Sequence, residues 1–132
     1  MSDTADIVVI GGGVHGTSTA WHLAKRQAGK IILVEKQGIA SGASGWSSAN
    51  VRLHYTLESL VKVTMYGREM FGDWKDIVGV GESGFRQVGF LSLFPDFETK
   101  HGKNIVSMQK KLGINARYIT NDEVGEIEPR LR

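Results

Sequence analysis

The 132-residue sequence predicts an α/β fold that opens with a βαβ unit. Two short apolar runs, residues 7–10 and 31–34, consist mostly of β-branched side chains, which favours strands of a parallel sheet. A glycine-rich turn with the sequence GGGVHG, residues 11–16, joins the first run to a helical segment, and Glu35 follows the second run. This order of strand, glycine turn, helix, strand and acid is the pattern of a Rossmann-type dinucleotide-binding unit.

The glycine turn contains a GxGxxG pattern in which each glycine has a separate physical task. Gly11 permits the tight turn, Gly13 lets the backbone approach a pyrophosphate, and Gly16 lets helix and strand pack closely. The N-terminus of the helix then faces the phosphates. Val14 and His15 lie at this helix start, so we expect both to contact the cofactor, His15 through its backbone.

Glu35 lies 19 residues after Gly16, where a carboxylate accepts hydrogen bonds from the ribose diol of a dinucleotide. FAD and NAD both place a ribose at such a carboxylate, so Glu35 alone does not separate the two cofactors. The segment of residues 38–50 is rich in small and hydroxyl side chains and lacks periodicity, which predicts a loop. Successive N–H groups in such a loop form a nest for anions, and a flexible surface loop is the alternative.

Helix signals account for much of the first half of the chain. The first helix is predicted from Gly13 to about Ala28 and ends at Gly29. Thr56 is predicted to cap a second helix, whose apolar residues recur at spacings near three and four as far as Trp74.

The second half of the chain is predicted to alternate strands with helices. Residues 85–94 alternate in the manner of strands, in a hairpin bent at Gly89. A helix with one apolar face follows and ends at Gly113. Residues 117–119 are predicted to form a short strand.

The C-terminal segment carries a capping box, Thr120 with Glu123, that predicts a final helix ending at Pro129. Only two predicted strands belong to the parallel sheet, whereas the mean sheet has about five or six. We therefore expect the remaining strands to be missing or supplied by another chain, and the sequence to be an N-terminal fragment.

Composition restricts the classes of function. The balance of 16 basic and 14 acidic residues, without a long basic run, gives no signature of nucleic-acid binding. The chain has no cysteine and its four histidines lack ligand spacing, so we expect neither a disulfide framework nor a metal site. No apolar run approaches the roughly 20 residues that span a bilayer, and no signal peptide is visible, which favours a cytoplasmic location.

Three stretches of the sequence resemble the FAD-dependent oxidoreductases of the D-amino-acid oxidase superfamily, particularly the branch of sarcosine oxidase and its β subunit. They are residues 7–16, residues 34–36 with the sequence VEK, and residues 41–55 with the sequence SGASGWSSANVRLHY. The resemblance implies an FAD cofactor on the βαβ unit, with Glu35 and Lys36 among the residues that contact it. Family enzymes are much longer than this chain.

The resemblance assigns the glycine- and serine-rich loop to the flavin. In the family this loop runs along the pyrophosphate and reaches the flavin ring, which implies cofactor contacts from Ser41, Ser44, Gly45 and Trp46. Some relatives join the flavin covalently to a histidine of this loop. Gly45 or Ser44 stands in that region here, so we expect no covalent attachment through the loop.

Arg52 follows the loop at the position where the sarcosine-oxidase-like branch has an arginine that binds the substrate carboxylate. The planar guanidinium suits this bidentate task. From the residues alone, an arginine paired with a surface acid is the alternative, and the resemblance favours the substrate site. His54 lies near Arg52 in sequence and is placed to line the same pocket.

Three segments are expected: a FAD-binding βαβ unit with its flavin loop at residues 1–55, a helical connection at residues 56–84, and the start of an α+β substrate or cap domain at residues 85–132. The implied activity is oxidation of the C–N bond of a small amino acid or N-methyl amino acid such as sarcosine, glycine or proline. In that reaction hydride passes from the α or methyl carbon to the flavin, and the imine product hydrolyses.

Two other functions remain open at this point, an NAD-dependent dehydrogenase and a non-catalytic dinucleotide-binding subunit. The second glycine- and serine-rich loop disfavours NAD, whereas the short chain favours a subunit. We expect the isolated 132-residue chain to be inactive, and to be a homo-oligomer or part of a larger chain or complex.

Overall fold

The computed structural model describes residues 4–131 and begins with a βαβ unit. Strand β1 spans Ile7–Ile10, helix α1 spans Val14–Lys25, and strand β2 spans Ile31–Val34. The strands pair in parallel, with Ile7 opposite Ile31 and Ile10 opposite Val34. The βαβ unit predicted from the apolar runs and the glycine turn is therefore present.

The chain between α1 and β2 turns in two steps. Gln27 already adopts a left-handed conformation, with φ of 55°, so α1 ends at Lys25 rather than near Ala28 as predicted. Gly29 has φ of 114°, and a β-carbon there would lie 2.6 Å from Asp6 Oδ2. The same Asp6 oxygen accepts a hydrogen bond of 2.7 Å from the Lys30 amide, which joins the beginnings of the two strands.

The residues divide by their contacts into two compact units, with the boundary between Asn50 and Val51. The described part of the second unit contains four helices and one short 3-10 turn. Helix α2 spans Glu58–Gly72 and helix α3 spans Trp74–Ile77. The 3-10 turn Asp96–Glu98 precedes helix α4, Thr99–Lys111, and helix α5 spans Asn121–Ile127. Helices α2 and α4 contact each other, and Val61 and Ile105 from these two helices form the buried apolar core of this unit.

Two strand predictions were wrong. Neither residues 85–94 nor residues 117–119 form a strand in the described part of the chain. A strand requires a neighbouring strand to complete its backbone hydrogen bonds, and an alternating sequence supplies only the side-chain pattern. Val88 is 88% exposed, and Gly89 interrupts the segment with φ of 87°. The described part of the second unit is therefore helical and irregular rather than α+β.

Two of the predicted helix-end signals are confirmed by the helix boundaries, and one is wrong. Gly113, with φ of 81°, follows the end of α4 as predicted. Thr120 and Glu123 form the predicted capping box at the start of α5. Thr56, however, does not cap α2, because that helix has Leu57 at its N-cap and no side-chain cap. No helix within residues 4–131 is long and apolar enough to cross a membrane.

Candidate functional site

The glycine turn brings the first turn of α1 directly against the end of β1. Gly11 has φ of 105°, and its amide donates a hydrogen bond of 2.8 Å to the Val34 carbonyl. A β-carbon on Gly16 would collide with the Gly11 carbonyl oxygen and lie 3.6 Å from a methyl carbon of Val9. The tight turn predicted for Gly11 and the close packing predicted for Gly16 are therefore both present.

Glu35 connects the end of β2 to this turn. Its Oε2 accepts a hydrogen bond of 2.6 Å from the Gly12 amide, and its Oε1 accepts one of 2.9 Å from the Gln37 amide. The hydrogen bonds from Gly12 and Gln37 lower the pKa of the Glu35 carboxyl below its ordinary value of 4.5, so the group is ionised near neutral pH. A carboxylate has about four acceptor positions, so two remain for the hydroxyls of a ligand.

The loop that follows Glu35 is fastened to the glycine turn at two points. The Ala40 amide donates a hydrogen bond of 2.9 Å to the Gly12 carbonyl. Ser44 Oγ accepts one of 2.8 Å from the Val14 amide and so caps α1, whose own N-cap residue, Gly13, has no side chain to do so. A β-carbon on Gly13 would lie 3.1 Å from Ser44 Oγ. The loop and the helix start therefore form one continuous surface.

A cleft of about 240 Å³ opens between the turn and the loop. It is lined by Gly13, Glu35, Lys36, Gln37, Ser41, Gly42, Ala43 and Ser44. Within residues 4–131 the backbone N–H groups of Gly13 and His15 have no hydrogen-bond acceptor, and the first turn of α1 has no acidic side chain. The cleft thus combines a carboxylate that can accept hydrogen bonds from ribose hydroxyls with the positive end of a helix, whose N–H groups can donate to a pyrophosphate.

The structure gathers some of the predicted cofactor residues and separates others. Gly13, Glu35, Lys36, Ser41 and Ser44 line the cleft, while Gly11, Val14, His15 and Gly16 form the turn and helix start beside it. Gly45 and Trp46 do not line the cleft, and Trp46 is 89% exposed. Residue type and position in the loop do not reveal which of its residues face the turn.

Sequence reasoning missed the part played by Gly12. This glycine is buried, and a β-carbon there would lie 2.8 Å from Ile39 Cδ1 and 3.1 Å from Glu35 Cγ. The available signal was the third consecutive glycine, because the GxGxxG pattern itself leaves that position open. Gln37, which also binds Glu35 through its amide, carried no such signal.

In the second unit, Arg52 lies against two aromatic rings. Its guanidinium carbon is 5.1 Å from the centre of the Tyr55 ring and 5.8 Å from the centre of the Phe90 ring. Within the described residues no carboxylate forms an ion pair with Arg52. The alternative for this residue, an ion pair with a surface acid, is therefore absent from the described residues.

His54 belongs to the same cluster. Its ring centre is 5.8 Å from that of Phe90, and its Nδ1 is 3.4 Å from Gln109 Nε2. Partial burial lowers the pKa of His54 below that of a free histidine, and the positive charges of Arg52 and His101 lower it further. The imidazole is therefore neutral at neutral pH.

A protein-family model described as FAD dependent oxidoreductase, DAO, matches residues 6–132. The chain belongs to this family. The resemblance stated from the three sequence stretches is thus confirmed, and so is the prediction of FAD as the cofactor. The cleft between the glycine turn and the loop fits this cofactor, because its carboxylate and helix start match the ribose and pyrophosphate of FAD.

The chain is similar to individual enzymes and subunits. It is 28% identical to the pyruvate dehydrogenase phosphatase regulatory subunit of Mus musculus, covering 96% of this chain and 14% of the relative. It is 25% identical to sarcosine oxidase subunit beta of an Arthrobacter species, covering 94% and 31%. The crystal structure of L-proline dehydrogenase from P. horikoshii matches with a TM-score of 0.82 and 32% identity, covering 98% of this chain and 34% of that chain. The chain therefore spans about a third or less of these relatives.

Proposed function

We propose that this oxidoreductase chain binds FAD at the cleft of its first unit and takes part in oxidising the C–N bond of a small amino acid or N-methyl amino acid. Sarcosine, glycine and proline are the candidate substrates. The observation that carries the proposal is the pair of hydrogen bonds that hold the ionised Glu35 beside the glycine turn. The names of the Arthrobacter subunit and the P. horikoshii dehydrogenase support this substrate class.

The residues of the first unit supply binding and orientation. The free acceptor positions of Glu35 accept hydrogen bonds from the hydroxyls of the adenosine ribose. The N–H groups of Gly13 and His15 donate hydrogen bonds to phosphate oxygens. Lys36 adds a positive charge at the wall of the cleft, where it favours the pyrophosphate. The bound flavin supplies the electron-acceptor chemistry of the oxidation.

Arg52 is proposed as the clamp for the substrate carboxylate. Its guanidinium has no carboxylate partner within residues 4–131, so its hydrogen-bond donors are not committed to an internal acid. The rings of Tyr55 and Phe90 restrict its motion and so reduce the entropy lost when a carboxylate binds. A planar, oriented guanidinium suits two parallel hydrogen bonds to one carboxylate.

A non-catalytic FAD-binding subunit is the second candidate. The similarity to the mouse protein named as a regulatory subunit favours it. The two candidates share the FAD site and differ in turnover. In both, we propose that the chain works within a larger polypeptide or complex, called the native assembly below, since it spans only part of its relatives.

Anaerobic mixing of the native assembly with sarcosine, glycine or L-proline separates the two candidates. An oxidase or dehydrogenase loses its visible flavin absorbance with at least one of these amines, whereas a non-catalytic subunit keeps its absorbance with all of them. Absence of flavin from the native assembly would contradict both candidates.

A further inference from the structure

We infer that His54 is a second hydrogen-bond donor beside Arg52 in the carboxylate-binding site, and that Gln109 selects the histidine tautomer able to donate. This inference rests on the proposed function, because it takes Arg52 as the clamp. His54 is two residues after Arg52, and both side chains contact the ring of Phe90.

The orientation of the Gln109 amide is fixed by a carbonyl. Its side-chain nitrogen donates a hydrogen bond of 3.2 Å to the Leu53 carbonyl, which can only accept. The atom near Leu53 must therefore be the nitrogen and not the oxygen of the amide. The same nitrogen has a second hydrogen, and His54 Nδ1 lies 3.4 Å from it.

His54 Nδ1 consequently accepts from Gln109 and carries no proton of its own. In a neutral imidazole one nitrogen accepts and the other donates, so the proton resides on Nε2. Burial and the nearby positive charge of Arg52 lower the pKa of His54, so the neutral imidazole predominates at neutral pH and keeps this tautomer. Nε2–H is then available as a donor.

Gln109 is well suited to this positioning task. It is 4% exposed, and it projects from α4, the helix that carries the buried Ile105 of the core. A glutamine on such a helix has little freedom to leave the Leu53 carbonyl. Phe90 contributes from the irregular segment of residues 85–94, so the predicted strand region takes part in the site without forming a strand.

The tautomer can be measured directly in the native assembly by nitrogen NMR of the His54 side chain. We expect a non-protonated Nδ1 and a protonated Nε2 in the wild-type protein. In Gln109→Glu the carboxylate can only accept a hydrogen bond, which favours a protonated Nδ1 as its donor, so the Nδ1 signal should shift to the protonated range. A wild-type Nδ1 that already carries the proton would overturn the inference, whatever the effect of any substitution on activity.

Steady-state kinetics with sarcosine provide the second test. If the assembly oxidises sarcosine, His54→Ala should raise KM roughly two- to tenfold with a smaller effect on kcat, because one neutral hydrogen bond to the carboxylate is lost. His54→Gln, which keeps a side-chain N–H donor, should recover part of the loss. Arg68→Ala is the control, since Arg68 donates to Gln87 and takes no part in the described contacts of Arg52 and His54, and it should leave KM near the wild-type value.

Parallel measurement of Arg52→Ala distinguishes a failure of the His54 inference from a failure of the proposed Arg52 clamp. A raised KM in Arg52→Ala together with an unchanged KM in His54→Ala would overturn the inference and leave the proposed clamp standing. An unchanged KM in Arg52→Ala would instead overturn the proposed clamp, and with it the site to which His54 is assigned. For an assembly without turnover, the same comparisons apply to the dissociation constant of acetate.

Discussion

The Gly12 amide donates a hydrogen bond of 2.6 Å to Glu35 Oε2, joining the glycine turn to the residue that follows β2. The two residues are 23 positions apart in sequence. The hydrogen bonds from the Gly12 and Gln37 amides hold the carboxylate in place beside the turn. Binding then costs little side-chain ordering at this position, which is the general advantage of a preorganised site.

The first prediction concerns the protonation of Glu35. Its pKa is lowered by the hydrogen bonds from Gly12 and Gln37, so the group stabilises the folded state above its unfolded pKa. This contribution is lost as the pH falls below about 4.5 and through the lower folded value. We expect the Gly12 and Gln37 amide proton shifts to titrate together with a midpoint below 4.5. In Glu35→Gln this titration should vanish, and a wild-type midpoint above 4.5 would contradict the geometry.

The second prediction concerns Arg52 as the carboxylate clamp. Loss of one charged hydrogen-bonding partner removes about 1.5–3 kcal/mol of binding, so Arg52→Ala should weaken carboxylate binding roughly tenfold or more. Arg68→Ala is the control, because Arg68 donates to Gln87 and has no place in the aromatic cluster around Arg52. The measurement is KM for sarcosine, or acetate affinity if there is no turnover. Equal effects of the two substitutions, with FAD still bound, would remove Arg52 from the site.

The third prediction compares two glycines inside helices. Gly102 in α4 is buried, and a β-carbon there would overlap the ring of Phe94. We expect Gly102→Ala to lower the free energy of unfolding by about 1–3 kcal/mol. Gly67 in α2 has open space at the corresponding position, so Gly67→Ala should raise it by roughly 0.5–1 kcal/mol. Denaturant unfolding of both variants measures these changes. An equal increase in the free energy of unfolding in both would show that Gly102 is not packed under Phe94.

Local signals accounted for the βαβ unit and several helix ends. The apolar runs, Gly11 and Gly16 are close enough in sequence for turn and packing requirements to be read directly, and the same holds for the capping box of Thr120 with Glu123. The strand prediction for residues 85–94 was wrong because a strand needs a hydrogen-bonded partner strand. An alternating sequence pattern does not show whether such a partner is present.

The candidate site was harder to predict where its contacts are distant in sequence. Ser44 caps α1 from 30 residues away, and Gln109 reaches His54 from 55 residues away. No spacing rule connects such pairs, because only the folded backbone brings them together. The resemblance to a family pointed to Ser44 and Arg52, and it carried no information about Gln109.

The fourth prediction is that the isolated 132-residue chain self-associates. Large apolar side chains are exposed in both units, with Ile10 at 85% and Phe97 at 85%. Exposed apolar faces and an unpaired strand edge favour association. Light scattering should report a species heavier than the 14.5 kDa monomer. A monodisperse monomer at micromolar concentration would contradict this expectation.

The same isolated chain is predicted to have no turnover and to hold FAD only weakly. Its first unit supplies the turn and Glu35, while the chain spans 34% of the P. horikoshii dehydrogenase that it matches. A flavin titration tests this point, and binding at micromolar affinity or better would show that residues 1–132 form a self-sufficient FAD module.

The flavin content of the native assembly, compared between Gly13→Val and Gly38→Ala, tests whether the glycine turn binds FAD. The Gly13 β-carbon would lie 3.1 Å from Ser44 Oγ at the start of α1, so the larger side chain should obstruct the cleft. Gly38 has open space and does not line the cleft. We expect Gly13→Val to be purified without FAD and Gly38→Ala to retain wild-type occupancy. Full FAD occupancy in folded Gly13→Val would contradict the assignment of the glycine turn as the cofactor site.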